Sequence, residues 1–417
     1  LLFNFPLQQN KGEKMKSKLL KNAKVYLNKL CVEISDRSVG SEGNRKATQL
    51  ANEVFSRLGW NCEMAELKVM DWQEQGAELV CRNRNFEVFV GPYSLGCDVK
   101  GKLVGVSKLE DLEKIHGNGD ILLLHGELVR EQLMPKNFVF YNPEEHKHIV
   151  YLLENSKAKA FISATGHNGA TAGGIYPFPL IEDGDFNIPN VYMTDKEGEK
   201  LLACAGNEIH LKSHSKRIST TAYNNIARLG SGEKKIVITA HIDAKKNIPG
   251  AIDNATGVVV LFLLAELLNN YRGKYQIELV AFNGEDYFAV PGQMDYIASK
   301  KGDFSDVLLN INIDGAGYFG GKSAFSFFDL PQEFHEEACQ VLEKFEDITE
   351  GIQWVQGDHS IFVQFGRPAI AISSEWFINN FESQTITHTD KDNLSIVNPE
   401  KLVDIALAVE TFVKNLN

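Results

Sequence analysis

No two cysteines of the chain stand in a CxxC spacing, and the six present (Cys31, Cys62, Cys81, Cys97, Cys204 and Cys339) are scattered. That spacing excludes a structural zinc knuckle and a disulfide scaffold, and a reducing cytoplasm is the expected home. No apolar run approaches the length needed to span a bilayer, so no membrane partner is expected. Basic residues are outnumbered: 43 Lys and Arg against 55 Asp and Glu leave a net charge of -12, the wrong sign for nonspecific nucleic-acid binding. The opening stretch LLFNFPLQQNKGEK is apolar only briefly and lacks a basic n-region and a small-residue cleavage site. Met15 can serve as initiator, and residues 1–14 are expected to be a leader or remnant.

What is present is the composition of an ordinary globular enzyme, 43% hydrophobic and 24% charged, over 417 residues. That length favours two domains. Apolar periodicity predicts helices over Lys18–Leu30 and Asn44–Leu58, the second stopped by Gly59, with the polar turn DRSVGSEGN between them. From Trp60 to Trp72 the pattern is extended. Between about 75 and 212 short strands (Leu79–Cys81, Phe86–Val90, Ile121–Leu124, Phe161–Ser163) alternate with glycine turns and one helix near Glu144–Glu154, the pattern of a small β-rich mixed module. Its histidines (His116, His125, His146, His148, His167, His210) form no pair in a metal-site setting; His146 and His148, two apart on a helix, do not share a face.

After Asn225 the pattern is strictly βαβ. Strands at Ile236–Thr239, Ile277–Phe282, Val307–Ile313 and Ala369–Ser373 alternate with helices at about 255–269, 332–346 and 399–415. The expected fold is α/β, a three-layer αβα sandwich with a largely parallel central sheet and an inserted small β-rich domain. In such sheets ligands collect beyond the carboxyl ends of the strands.

The polar residues of this half follow that rule. KIVITAHIDAKKNIPGAIDN, from Lys235 to Asn254, runs from a buried strand into His241 and Asp243, two residues apart and so on one face, where Asp243 can hold one ring nitrogen while the other binds a metal. Asp253 follows near the start of an apolar helix, where a carboxylate is favoured. A polar βα turn with a helix cap is the competing account of this stretch. The next strand ends in Asn283-Gly284-Glu285-Asp286, the one after it in Asp314, and His388 lies in ITHTDKDN before the last helix. Singly, each of these is as readily a solvated loop or a turn cap. Together, His241, Asp253, Asp286, Asp314 and His388 supply the nitrogen and carboxylate ligands that two neighbouring divalent metals require. Glu285 is left over and suits a general base.

HID, PGAIDN, NGED, NID and ITHTDKDN, in this order, resemble the successive metal-site motifs of the co-catalytic zinc aminopeptidases, a family that also holds glutamate carboxypeptidases, glutaminyl cyclases and the transferrin receptor. The likeness extends to VGSEGNRKATQLANEVFSRLGW. It implies a metal-dependent aminopeptidase acting on peptides or amino-acid amides, with catalytic Glu285 and Asp243. His241 and Asp314 would hold one Zn2+, Asp286 and His388 the other, and Asp253 would bridge them. QGDHSIF resembles a family motif at the substrate cleft, which places Asp358 and His359 in the pocket. Asp392 matches a structural acid of the family, and Tyr287, Phe288 and Trp376 are either pocket aromatics or packing. GDILLLHG and GDFNIPNVYMTDKEGEKLL are similar to the protease-associated domain, so the implied organisation is a zinc exopeptidase domain of 15–74 and 213–417 interrupted by a protease-associated-like insert at 75–212.

One position departs from that family, which usually has two glutamates where this chain has Glu285-Asp286. The ligand at 286 is one methylene shorter, and the zinc it serves is expected to be the weaker of the two. Two alternatives belong to other classes: a mononuclear zinc acyltransferase of the glutaminyl cyclase kind, and a non-enzymatic binding protein on the peptidase fold.

Overall fold

A computed structural model describes residues 5–34, 36–115, 119–167 and 171–416, with side chains from residue 12 onward. His116 and the first four residues of the expected leader lie outside this set. The chain divides into two compact units. The first comprises the segment up to Leu67, Thr221–Asn380 and Thr387–Asn417; the second comprises Lys68–Thr220 with Phe381–Ile386.

Elements of the first unit are numbered here in chain order, the strand called β1 belonging to it only from Thr221 on. Two helices, α1 (Phe5–Asn28) and α2 (Glu42–Arg57), precede a sheet whose strands are β1 (Glu208–Leu229), β2 (Lys235–His241), β3 (Gln276–Phe282), β4 (Val307–Ile313), β5 (Ser323–Phe328), β6 (Ile348–Glu350) and β7 (Ala369–Ser374). Between and after them come α3 (Thr256–Leu267), α4 (Pro291–Ser299), α5 (Gln332–Leu342), α6 (His359–Gln364) and α7 (Pro399–Asn415). The spatial order is β6-β5-β7-β4-β2-β3-β1. The four central strands β7, β4, β2 and β3 are parallel.

The expectation of strict βαβ alternation needs correcting at both flanks. β5 runs antiparallel to β7, and β1 antiparallel to β3. The link from β4 to β5 is a glycine-rich loop with no crossover helix, and a parallel neighbour requires a crossover of a dozen residues or more. Helix α1 also starts earlier than the predicted Lys18, because Leu, Gln, Lys and Glu before Met15 favour a helix and Pro6 sits in its first turn, where a missing N–H costs nothing.

Alternation along β3 separates the two faces of the sheet. Ile277, Leu279 and Ala281 join the core under α3, and Phe282 meets the Tyr296 ring on the other face at 5.3 Å. Helix α3 is apolar on every side because it is covered on every side: it lies on the sheet and beneath α1, α2 and α7. Phe262 in it is met edge-on by Tyr26 at 5.0 Å and Phe55 at 5.5 Å, while Trp60 Nε1 donates to the Ala265 carbonyl at 3.0 Å. Ser41 caps α2 by accepting the Asn44 N–H at 2.9 Å.

The second unit is also built on strands. Cys97–Val106, Ile121–Leu124, Ala160–Thr165 and Asn190–Thr194 are parallel neighbours in that order, with Glu208–Leu229 antiparallel at one side and Phe89–Val90 antiparallel at the other. The expected strand Leu79–Cys81 is the end of a longer one, Asn61–Cys81, and the expected Phe86–Val90 is split into Arg84–Phe86 and Phe89–Val90. Among the described residues no helix is long and apolar enough to cross a membrane.

Candidate metal centre

The parallel register decides where the polar side chains emerge. Phe282 of β3 pairs with His241 of β2, and Asn312 of β4 pairs with Thr239, so three neighbouring strands stop side by side. His241 ends β2, Asn283–Asp286 follow β3, and Asp314 follows β4. After β2 the chain passes through Gly250 and a single π turn, Ala251–Ala255, which carries Asp253 out of the α3 axis. Gly250 has φ +55°, and a Cβ there would meet the Asp253 carbonyl oxygen at 2.5 Å, so this tight return admits only glycine.

Asp253 stands between the two histidines. Its Oδ1 is 3.1 Å from His241 Nε2 and its Oδ2 is 3.1 Å from His388 Nε2. Asp314 Oδ1 lies 3.6 Å from His241 Nε2, and Asp286 Oδ1 lies 3.0 Å from His388 Nε2. The structure therefore brings the five residues together as two triads, His241–Asp253–Asp314 and Asp253–Asp286–His388, that share one carboxylate. Two ligands on one tetrahedral zinc, with bonds of ~2.0–2.2 Å, stand roughly 3.4 Å apart. The observed spacings bracket that value.

Charge and satisfaction point the same way. Both ring nitrogens of His241 and Asp286 Oδ2 are buried without a hydrogen-bond partner, which a stable interior does not tolerate unless something else binds there. Burial disfavours a charged His241, yet Asp314, Asp243 and Asp253 overcome it and hold the imidazole well above its ordinary pKa. Likewise, Asp286 and Asp253 outweigh burial at His388. This cluster of anions takes up positive charge wherever it can. A divalent cation in each triad would supply it without protonating the ligands.

Buried groups hold the arrangement in place. Asp243 was expected to hold His241 by a hydrogen bond, but its Oδ1 is 3.6 Å from Nδ1, beyond hydrogen-bond reach, because the carboxylate is engaged elsewhere. It accepts the backbone N–H groups of Gly284 at 2.7 Å, Glu285 at 3.3 Å and Asp286 at 3.0 Å, so it fixes the turn that presents Glu285 and Asp286. Gly284, at φ +113°, is where that turn breaks from the strand. Asp392 accepts the N–H groups of Ile252 at 2.7 Å and Asp253 at 3.0 Å. Burial and the Asp253 charge push Asp392 up to about 7.

Arg37 was passed over in the sequence as part of a polar turn. It is 1% exposed and donates to the carbonyls of Leu30 at 2.8 Å, Ile242 at 3.1 Å, Pro249 at 2.7 Å and Gly250 at 2.7 Å, clamping both ends of the loop that leads from β2 to the turn of Asp253. Its only signal in the sequence was a basic residue beside Asp36 in a stretch of small polar residues.

Glu285 shares this pocket. Burial first, then the charges of Asp314, Asp286 and Asp358, raise its carboxyl well above the usual range against the pull of His241. Asp358 accepts from Gln293 Nε2 at 2.8 Å, and burial with Asp314 and Asp243 pushes it up to about 7 against His241 and Gln293. His359 donates from Nε2 to the Trp354 carbonyl at 2.9 Å and packs against the Phe328 and Trp354 rings; burial brings its pKa down to about 4, so it is neutral. Tyr287 and Phe288 pack on each other at 4.4 Å, and Trp376 packs on Tyr318 at 4.8 Å. Among the described histidines of the second unit, His146 pairs with Glu131, His148 with Glu113 and His210 with Asp98. None of them joins a candidate metal triad among the described residues.

Residues 224–413 match the profile of Peptidase family M28. This segment belongs to that family. Aminopeptidase YwaD of Bacillus subtilis (strain 168) is 22% identical over 231 residues, which are 54% of this chain and 50% of that protein. The chain spans between 50% and 60% of the length of the curated relatives it matches. Two solved structures share the fold: an aminopeptidase from Aneurinibacillus sp. strain AM-1, with TM-score 0.72, 22% identity and coverage of 95% of this chain and 93% of that one, and a zinc aminopeptidase from Bacillus subtilis, with TM-score 0.71, 19% identity and coverage of 95% and 94%.

Proposed function

We propose that the M28 segment makes this chain a metal-dependent aminopeptidase with two zinc ions, removing the N-terminal residue of a peptide or an amino-acid amide. The observation that carries the reading is Asp253, whose two carboxylate oxygens each face a different histidine at 3.1 Å. In this reading His241 and Asp314 would hold one ion, Asp286 and His388 the other, and Asp253 would serve both. When bound, the pair supplies Lewis acidity to the scissile carbonyl and lowers the pKa of the attacking water.

The chain's own groups do the rest. Glu285 accepts the proton of the attacking water on its carboxylate and passes it to the nitrogen of the leaving amine. Asp243 keeps Glu285 in reach by holding its backbone N–H, and Asp358 with His359 borders the substrate. Asp392 and Arg37 hold the bridging aspartate. The unit of Lys68–Thr220 is read as a protease-associated-type insert that tunes which peptides bind. Six cysteines without a disulfide suit a reducing, cytoplasmic setting.

The deciding experiment is a screen of chromogenic amino-acid amides with chelator-treated and zinc-restored protein, including one amide blocked at its amino group. Zinc-dependent release from the free amides and none from the blocked one is expected. No release from any amide by protein that has bound two zinc ions overturns the activity and leaves a binding protein.

A further inference from the structure

Helix α5 carries His335 and Cys339 one turn apart on a single face, and the short strand β6 brings Glu350 against them. Cys339 Sγ is 3.9 Å from each ring nitrogen of His335, and His335 Nε2 is 3.5 Å from Glu350 Oε1. All three donor atoms lie within 4.8 Å of one another. The ordinary account is a surface His–Glu pair next to a helix cysteine. The spacing argues against it, because N–H···O bonds cluster near ~2.9–3.0 Å and a 3.5 Å separation is too long for a good one.

Coordination explains the spacing better. Bonds of ~2.3 Å to sulfur, ~2.0–2.1 Å to nitrogen and ~2.0–2.2 Å to oxygen at tetrahedral angles put S···N near ~3.6 Å and N···O near ~3.4 Å. The S···N separation of 3.9 Å and the N···O separation of 3.5 Å depart from these by no more than roughly 0.3 Å, and the sulfur and the carboxylate lie within 4.8 Å of each other. The His335 ring is steadied by an edge contact from Phe327 at 4.9 Å. His335 and Glu350 are 36% and 56% exposed, so an ion has a path in from solvent.

We propose that His335, Cys339 and Glu350 form an additional metal site, separate from the paired triads, for a borderline-to-soft divalent cation such as zinc or cadmium. The thiolate selects against calcium and magnesium, which take oxygen ligands. Three protein ligands leave the fourth position to solvent. As the metal–sulfur bond forms, the Cys339 S–H bond breaks and its proton leaves to buffer. The site ties α5 to strand β6, and it stands whether or not the peptidase reading does.

The two metal centres are separable by spectroscopy, since the triads around Asp253 hold only nitrogen and oxygen donors. Cadmium is titrated into zinc-loaded protein under reducing conditions, and the ultraviolet thiolate-to-metal charge-transfer band is followed. One equivalent of band is expected, lost in Cys339→Ser, with cadmium affinity lowered roughly tenfold or more in Glu350→Gln, a surface change that spares the fold. Amide hydrolysis is expected to be unchanged in Glu350→Gln. Absence of the band in the wild-type protein, its persistence in Cys339→Ser through another cysteine, or unaltered cadmium affinity in Glu350→Gln overturns the site.

Discussion

Asp392 grips the backbone of Asp253, accepting its N–H at 3.0 Å while its other oxygen takes the N–H of Ile252 at 2.7 Å. The carboxylate that faces both histidines is thereby aimed by a second carboxylate 139 residues further along the chain. Asp392→Ala leaves two buried N–H groups without an acceptor and frees the π turn. Zinc affinity of the pair is expected to fall about 10–100-fold, the usual cost of losing a group that orients a metal ligand. Competition with a chromophoric chelator measures it, and wild-type affinity in a folded Asp392→Ala protein would refute the role.

Glu285→Gln keeps the size and the backbone contact with Asp243 but cannot take up a proton. Turnover of a susceptible amide is expected to drop by about 10²–10⁴-fold with both metals retained, the range for a positioned general base. Metal content is read by elemental analysis on the same sample. Near-normal turnover in the metal-loaded variant would remove Glu285 from the chemistry.

The positions of the polar groups were legible because each sits where a strand stops, and apolar runs such as Ile236–Ile238 announce those strands directly. What could not be read were hydrogen bonds between distant segments. Asn44 and Asn283 bond each other reciprocally at 2.9 Å, and Asn224 accepts the Asn283 N–H at 3.0 Å while donating to Gly292 O at 2.8 Å. Nothing in DRSVGSEGN tells a buried organiser such as Arg37 from a solvated turn. Strand β5 was missed for a different reason: SAFSFF is short, follows a glycine-rich loop and pairs antiparallel, so βαβ spacing did not reveal it.

A buried carboxylate away from the metal site gives a pH signature. Glu278, 1% exposed, accepts from Arg228 Nε at 2.7 Å and Tyr296 Oη at 2.7 Å, with Lys235 Nζ at 3.4 Å. Burial alone would raise its pKa, but Lys235, Tyr296 and Arg228 prevail and depress it below its ordinary 4.5. A depressed carboxylate contributes its stabilisation above the unfolded value and loses it as pH falls through the folded one. Glu278→Gln is therefore expected to cost on the order of 3 kcal/mol at neutral pH, as breaking a buried ion pair does. The gap between wild type and variant in urea melts should shrink below about pH 4.5. A gap that widens on acidification would mean the carboxylate is not depressed.

Asp286 carries the sharpest expectation. Its side chain is one methylene shorter than the glutamate usual in the resembling family, a loss of roughly 1.5 Å in reach from carbon–carbon geometry. Its Oδ1 nonetheless comes within 3.0 Å of His388 Nε2, on a turn whose Asp286 N–H is held by Asp243. The surroundings of this carboxylate differ electrostatically. Lys245 Nζ donates to the Asp286 carbonyl at 3.0 Å and stands 3.9 Å from the carboxylate, so an ammonium competes for the charge that a second dication needs. Titration of apo-protein with zinc should accordingly give two unequal steps. Asp286→Ala is expected to abolish the weaker step and spare the tighter one, while Lys245→Met draws the two together. Two equal steps, or a loss of the tighter step in Asp286→Ala, would show that the shorter ligand costs the second site nothing.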